Sequence, residues 1–144
     1  MHKGFSLVEL MIAMLVMAIL TAIGMPTYRA YVTRANRAVA KSVLGEVQSR
    51  QESYLLDRKR YSASLVALGY PADAIYLLRN GETQSAADAS AIYVVRLEAP
   101  LDRSYAVAAA PLNSQARDSA CGTLRIKSTG KKEATGSNGL KCWR

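Results

Sequence analysis

The sequence predicts an α+β fold, in which one long N-terminal helix, half of it transmembrane, packs on a small antiparallel β-sheet. Three observations support this prediction. An apolar segment of membrane-spanning length stands near the start of the chain, a helical spacing of apolar residues follows it, and alternating apolar and polar residues occur in the C-terminal half. The 144 residues are enough for one domain, with a single small core outside the apolar segment.

The apolar segment covers residues 5–25, which read FSLVELMIAMLVMAILTAIGM and carry one charge, that of Glu9. As a helix it is roughly 30 Å long, which matches the hydrocarbon core of a bilayer. No Ala-x-Ala pattern follows it, so a cleaved secretory signal is the weaker interpretation. We therefore expect a transmembrane and assembly helix over residues 5–26.

Glu9 is unusual because it lies inside this apolar segment, where an unpaired carboxylate is costly and usually has a partner or a role. Alternatively, its side chain reaches the nearby interface, since Glu9 is only about 6 Å along the helix axis from Phe5. A short basic leader precedes the segment and ends in Gly4. A peptidase can accept a glycine where it would reject any side chain.

Residues 3–10, KGFSLVEL, resemble the type III signal of type IV prepilins: a short basic leader, a glycine, a phenylalanine and a hydrophobic helix with an acid at its fifth position. The resemblance implies that prepilin peptidase removes residues 1–4 by cutting between Gly4 and Phe5, and that Phe5 is then N-methylated. It also implies that Glu9 pairs with the terminal amine of a neighbouring subunit's Phe5 during assembly. A cation in the same apolar site makes a buried carboxylate tolerable.

Beyond the apolar segment, the helical pattern continues. Apolar residues recur at spacings of three, four and seven, which fit one helical face; they are Tyr28, Val32, Ala35, Val39, Val43, Val47 and Tyr54. The pattern predicts a helix from Phe5 to about Leu56, roughly 75–80 Å long. Pro26, with Gly24 nearby, should kink or locally melt it. A long coiled coil is the competing interpretation, and the strand patterns that follow argue against it.

Three segments of the C-terminal half are predicted strands: residues 91–98, 104–109 and 123–127. The last alternates cleanly between apolar and polar residues. The first two are joined by a short loop through Asp102, as antiparallel neighbours are. Together with the second half of the helix, these strands are expected to form a head over residues 27–144.

The two cysteines, Cys121 and Cys142, lie in no CxxC pair, and His2 is the only histidine of the sequence. Histidine-ligated metal sites and catalytic triads are therefore excluded. A disulfide that closes a C-terminal loop is the better interpretation, provided that the head lies in an oxidising compartment. The acids are scattered and no glycine-rich phosphate loop is present, so we expect neither an enzyme nor a cofactor.

The net charge of +8 is concentrated at both ends of the predicted head. Such basic patches are typical of proteins that bind nucleic acid or anionic lipid, and they also occur on ordinary solvated surfaces. For the C-terminal patch, DNA is a candidate partner, and contacts with acidic surfaces of neighbouring subunits are the alternative. The candidate DNA-binding residues are Arg117, Arg125, Lys127, Lys131, Lys132 and Lys141.

The orientation in the membrane is predicted differently by two criteria. Basic residues after the apolar segment outnumber Lys3 before it, and the positive-inside rule would then place the head in the cytoplasm. A disulfide and the prepilin resemblance both place it outside. We expect a single-pass inner-membrane protein with its head in the periplasm, which becomes part of a cell-surface pilus after assembly.

Two further stretches resemble minor pilins of the PilE and ComP kind: the RQE-x-Y…RY pattern from Arg50 to Tyr61, and the ending from Pro111 to Arg144 with Cys121-Gly122-Thr123-Leu124 and Cys142-Trp143. The resemblance implies the type IV pilin fold and a minor pilin that takes part in pilus assembly, twitching motility and adhesion. The alternatives are a DNA-binding minor pilin for DNA uptake in natural transformation and a pseudopilin of type II secretion. The implied partners are other pilins in a helical filament, prepilin peptidase and the inner-membrane pilus assembly machinery.

Overall fold

The structure, a computed structural model, describes residues 6–101 and 103–144. Gly4 and Phe5, the predicted cleavage and methylation site, lie outside the described residues. Helix α1 extends over Leu7–Arg58, which confirms the predicted long helix. It continues through Pro26 without interruption, so the predicted local melting does not occur.

The chain divides into two compact units, of which the first ends at Arg34. The apolar side chains in this part of α1 are exposed, as Leu7, Met11 and Leu20 illustrate. By length and composition, α1 is apolar enough near its N-terminus to cross a membrane. These side chains are exposed in the chain itself, so their apolar surface is available to lipid or to another protein.

The second unit, from Ala35 to Arg144, contains a six-stranded antiparallel sheet. The strands are β1 (Ala74–Leu77), β2 (Thr83–Gln84), β3 (Tyr93–Leu101), β4 (Ser104–Pro111), β5 (Leu124–Lys127) and β6 (Lys132–Ala134). Their spatial order is β2-β1-β3-β4-β5-β6, and every neighbouring pair is antiparallel. Short 3₁₀ helices cover Val66–Leu68, Asn113–Arg117 and Gly139–Trp143.

The three predicted strands correspond to β3, β4 and β5, and the predicted antiparallel pairing of the first two is confirmed. Residues of these strands alternate between the core and the opposite face. Leu97 of β3 faces Val107 of β4, which in turn faces Ile126 of β5. Side chains such as Arg125, next to Ile126, therefore point away from the core.

The core lies between α1 and one face of the sheet, and Leu44, Val47, Tyr93 and Leu124 are among its fully buried members. The predicted helical face was only partly right. Val43 and Val47 are buried as predicted, and Val39 and Tyr54 pack partly buried against the core. Tyr28 and Ala35 are exposed instead, and the other buried residues of α1 are Asn36, Ala40, Leu44 and Gln51. The polar members, Asn36 and Gln51, are those that a search for apolar residues cannot find.

Candidate functional site

Two polar contacts attach the segment after β4 to α1. Asn36 Nδ2 donates to Gln115 Oε1 at 2.9 Å in a buried position. The next residue of α1, Arg37, donates from Nε and Nη2 to the two carboxylate oxygens of Asp118, both at 2.6 Å. The Asp118 carboxylate raises the pKa of Arg37 through these hydrogen bonds. The carboxylate also accepts from the backbone N–H of Cys121 at 3.2 Å, so the same residue positions the following loop.

The predicted disulfide is confirmed: Cys121 and Cys142 are bonded across a separation of 21 residues. Within this loop, the segment after β6 returns along the segment before β5, with Gly136 N donating to Cys121 O and Asn138 N to Ala120 O. A Cβ at Gly136 would lie 2.4 Å from the Ala120 carbonyl. Only glycine permits this close approach, which packs the C-terminal residues against β5 and β6.

Three of the predicted DNA-binding residues meet around one carboxylate on the face of the sheet that points away from the core. Glu133 of β6 lies directly opposite Arg125 of β5. Its carboxylate accepts from Lys127 Nζ at 2.8 Å and lies 3.2 Å from Lys131 Nζ and 3.8 Å from Arg125 Nη1. Hydrogen bonds from Lys127 and then from Lys131 hold the pKa of Glu133 below its ordinary value. We call Arg125, Lys127, Lys131, Glu98 and Glu133 the β5–β6 charge cluster.

Glu98 completes this cluster from β3, two strands away from β5. Arg125 donates from Nε to Glu98 Oε2 at 2.6 Å and from Nη2 to Oε1 at 3.1 Å. The two side chains meet because β4, which lies between them, has only alanine there: Ala106 opposite Glu98 and Ala108 opposite Arg125. Glu98 raises the pKa of Arg125 through these hydrogen bonds.

The remaining candidate residues lie apart from this cluster. Lys132 stands opposite the core residue Ile126, and its Nζ is 5.6 Å from the centre of the Trp143 ring. Arg117 ends one 3₁₀ helix and Lys141 belongs to another, and both are exposed. The fold thus brings together three of the six predicted residues, Arg125, Lys127 and Lys131. The other three, Arg117, Lys132 and Lys141, lie outside the β5–β6 charge cluster.

Lys132 has a basic neighbour on α1, Lys41, that the sequence did not connect with it. Partial burial, and then the charges of Arg37 and Lys132, lower the pKa of Lys41. Lys41 Nζ also donates to the backbone oxygen of Arg144 at 3.1 Å. Trp143 lies partly buried against the core, which includes both cysteines, and donates from Nε1 to Glu133 O at 3.0 Å.

Glu9 lies near the start of α1, and its side chain is exposed. The ion pairs found within residues 6–101 and 103–144 do not include Glu9. Its predicted partner, a terminal amine of another subunit, belongs to a different chain. The role of Glu9 in assembly therefore stays a prediction.

Glu98, Glu133 and Asp118 are the site residues that sequence reasoning missed. The sequence signal for part of this site is the strict alternation of β5, which indicates that Arg125 and Lys127 share one face. The acids that join them come from β3 and β6, and no local pattern identifies those strands as near neighbours of β5. Within the described residues, no group of three His, Cys, Asp or Glu side chains has the geometry of a metal site.

Two family models match the chain. Residues 26–125 match the model described as "Type IV minor pilin ComP, DNA uptake sequence receptor". Residues 1–25 match the "Prokaryotic N-terminal methylation motif". The two matches adjoin at the end of the apolar segment and together extend from the leader to β5.

Curated relatives of the chain are also pilins and fimbrial proteins. The chain is 30% identical to fimbrial protein EcpC of Eikenella corrodens over 97 residues, which are 67% of the chain and 63% of that protein. It is 39% identical to the type IV wide pilus major component PilA4 of Thermus thermophilus over 70 residues, or 46% of the chain and 53% of PilA4. It is 38% identical to a type IV major fimbrial protein FimA of Dichelobacter nodosus over 60 residues, which are 42% of the chain and 38% of FimA.

The matched regions thus cover less than two thirds of each of these three relatives. The ComP model, in contrast, covers more than half of the chain, including the second half of α1 and the strands up to β5. The long helix, the antiparallel sheet and the C-terminal disulfide are the architecture that the prepilin resemblance implies. The protein therefore belongs to the type IV pilins, as a member of the ComP family of minor pilins.

Proposed function

We propose that this protein is a subunit of a type IV pilus and that it binds DNA for uptake into the cell. The observation that carries the DNA-binding role is the gathering of Arg125, Lys127 and Lys131 on the outer face of the sheet, in a chain of a family described as DNA uptake sequence receptors. The family consists of structural pilins, and no catalytic role is proposed.

The N-terminal region serves assembly in this proposal. Residues 1–4 are the leader, prepilin peptidase cuts between Gly4 and Phe5, and Phe5 is N-methylated; the match to the methylation motif over residues 1–25 supports this. Residues 5–26 anchor the subunit in the inner membrane before assembly, and the exposed apolar side chains of α1 support this. Glu9 then pairs with the terminal amine of a neighbouring subunit, which fixes the register between subunits.

The head, residues 27–144, lies in the periplasm before assembly and on the cell surface afterwards. The Cys121–Cys142 bond supports this location, because disulfides persist in oxidising compartments. The partners are other pilins, the inner-membrane assembly machinery and DNA.

DNA binding of this kind is expected to depend strongly on salt. Each phosphate that a lysine or arginine neutralises contributes about −0.9 to the slope of log K against log salt. With about four phosphates neutralised, raising the salt from ~50 mM to ~200 mM weakens binding roughly 100-fold. Phosphate contacts alone carry no sequence preference, so a preferred sequence would require base-edge contacts in addition.

The experiment uses the full chain in neutral-detergent micelles and measures binding to fluorescent double-stranded DNA at both salt concentrations. The double variant Lys131→Ala, Lys132→Ala is expected to bind more weakly and with a shallower salt slope, while the cells that produce it still make pili. The matched control is Arg58→Ala, Arg60→Ala, which removes two exposed charges at the end of α1.

Three results would contradict the proposal. If the wild-type protein does not bind DNA at low salt, the DNA-binding role is wrong. If piliation fails in the Lys131, Lys132 variant while DNA affinity is unchanged, these residues serve the fibre and not DNA. An equal loss of affinity in the control would show that total charge matters and the β5–β6 surface does not.

A further inference from the structure

The two acids of the β5–β6 charge cluster form ion pairs with the same cations that the proposed DNA-binding surface requires. Glu133 is surrounded by three cations, with Lys127 Nζ at 2.8 Å and Lys131 Nζ at 3.2 Å from its Oε1 atom. Arg125 is held by Glu98 on its other side. A phosphate that approaches this surface therefore meets donors whose hydrogens already point at a carboxylate.

The geometry of Glu133 resembles that of a bound anion. Its Oε1 accepts from Lys127 of β5 and from Lys131 of the following turn, and its Oε2 lies 3.8 Å from Arg125 Nη1, so three cations surround the carboxylate as they would surround a phosphate group. The side chains remain accessible, with 27% of Glu133, 42% of Lys127 and 66% of Lys131 exposed. Ion pairs with this degree of exposure are weak, so an external anion can replace the carboxylate.

We propose that Glu133 is a built-in competitor of the DNA phosphate: it holds Lys127, Lys131 and Arg125 in place when no DNA is bound, and a phosphate of the DNA takes its position on binding. This role of Glu133 rests on the DNA-binding function proposed above. This competition lowers the affinity of the protein for DNA. It also favours ligands that supply several phosphates at once. Isolated anions would then be bound less well than a continuous backbone.

Glu133→Gln tests this role, because the amide keeps the size of the side chain and removes its charge. The full chain in neutral-detergent micelles is titrated into double-stranded DNA, in parallel with the wild type. One additional cation becomes available, so the salt slope should steepen by about 0.9 and binding at ~50 mM salt should become about tenfold tighter. Glu98→Gln, which releases Arg125 on the other side, is expected to act in the same direction.

Glu46→Gln is the matched control. Glu46 is an exposed carboxylate in an ion pair with Arg50 on α1, at 2.7 Å, and its loss changes the net charge by the same amount. The affinity of this variant for DNA should stay within about twofold of the wild type. Circular dichroism of each variant establishes that the fold is retained.

Where the wild type binds DNA, three outcomes overturn the role of Glu133. Unchanged binding by Glu133→Gln would mean that the carboxylate does not compete. Weaker binding would mean that it positions the cations, or, if the loss depends on the DNA sequence, that it accepts from a cytosine amino group. Equal gains in the Glu46 and Glu133 variants would reduce the effect to net charge. If the variant binds and the wild type does not, the competitor role holds and wild-type DNA binding is wrong; if neither binds, both proposals fall.

Discussion

Gln51 is fully buried on α1, and both ends of its amide are used. Its Nε2 donates to Ser62 O at 2.9 Å, and its Oε1 accepts from Ser62 N at 2.8 Å. The neighbouring Arg50 donates to Leu68 O at 2.7 Å, and Tyr61 OH donates to Glu52 at 3.2 Å. The RQE-x-Y…RY stretch, which resembles a minor-pilin pattern, thus attaches the segment after α1 to the helix.

Gln51→Ala should destabilise the head. The substitution leaves the backbone N–H and C=O of Ser62 buried without a partner, at a cost of about 1–3 kcal/mol in the free energy of unfolding. Denaturant unfolding of the full chain in a mild detergent, followed by circular dichroism, measures the change. Gln48→Ala is the control, because Gln48 lies on the same helix and is only partly buried. Equal stabilities of the two variants would contradict the role of the Gln51 amide.

Tyr54 and Tyr61 both lie partly buried against the core. Tyr61 contacts the ring of Tyr105 edge to face, with 4.8 Å between ring centres. Aromatic pairs of this geometry add to the burial of apolar surface in stabilising a core.

At the scale of elements, the C-terminal loop depends on one covalent bond. Little regular structure joins Cys121 to Cys142 apart from the short strands β5 and β6 and the last 3₁₀ helix. Both cysteines are buried, and Asp118 fixes the start of the loop to α1 through Arg37. Removal of the bond leaves the loop held by strand pairing, hydrogen bonds and packing, without a covalent closure.

The double substitution Cys121→Ala, Cys142→Ala should lower the free energy of unfolding by about 3 kcal/mol, because the bond closes a loop of 21 residues. For a chain of this size, the melting temperature should fall by roughly 10 °C. Differential scanning fluorimetry in detergent measures the shift, and the wild type treated with a reducing agent is the control. Melting temperatures that agree within a degree would refute the contribution of the bond.

The elements differ in how far the sequence predicts them. β3 and β4 have eight or more residues, and β5 alternates strictly, so each shows a readable pattern. β1 is as long as β5, but its residues, Ala-Ile-Tyr-Leu, do not alternate between apolar and charged, and β2 and β6, with two and three residues, are too short to show a period of two. The helix was predicted almost to its ends, because its apolar spacing continues over many turns.

The candidate site was predictable only in part, for a related reason. The cations of β5 and the following turn were identified individually from charge. Their pairing with Glu98 and Glu133 depends on the register of β3, β4, β5 and β6, which is set by contacts between residues far apart in sequence. Asn36 and Gln51 were left out of the predicted helical face because they are polar. Each is nevertheless buried, and its side chain forms a hydrogen bond with a residue outside the helix.

At the scale of the whole molecule, the proposed function requires one chain to be processed, anchored and assembled. Gly4→Val should leave the precursor uncut in the inner membrane, because a side chain at this position obstructs the peptidase. Mass spectrometry of membrane protein is expected to find N-methyl-Phe5 at the start of the wild-type protein and the full leader in the variant. Assembled filaments that retain Met1 would refute the processing site.

Glu9→Ala serves as the control for this experiment. Its cleavage site is intact, so the variant should be processed and inserted as the wild type is, and yet enter filaments poorly. The lost carboxylate is proposed to act only between subunits. Normal incorporation into filaments would mean that Glu9 merely reaches the membrane interface.

The two outermost strands of the sheet, β2 and β6, have only two and three residues. An edge strand leaves backbone donors and acceptors open, and long edges allow sheets of separate molecules to join into aggregates. Here each edge offers room for very few such bonds, and Lys132 adds a positive charge at the start of one of them. The short edges thereby disfavour sheet-to-sheet polymerisation between copies of the chain, so the sheet opposes aggregation without any covering element.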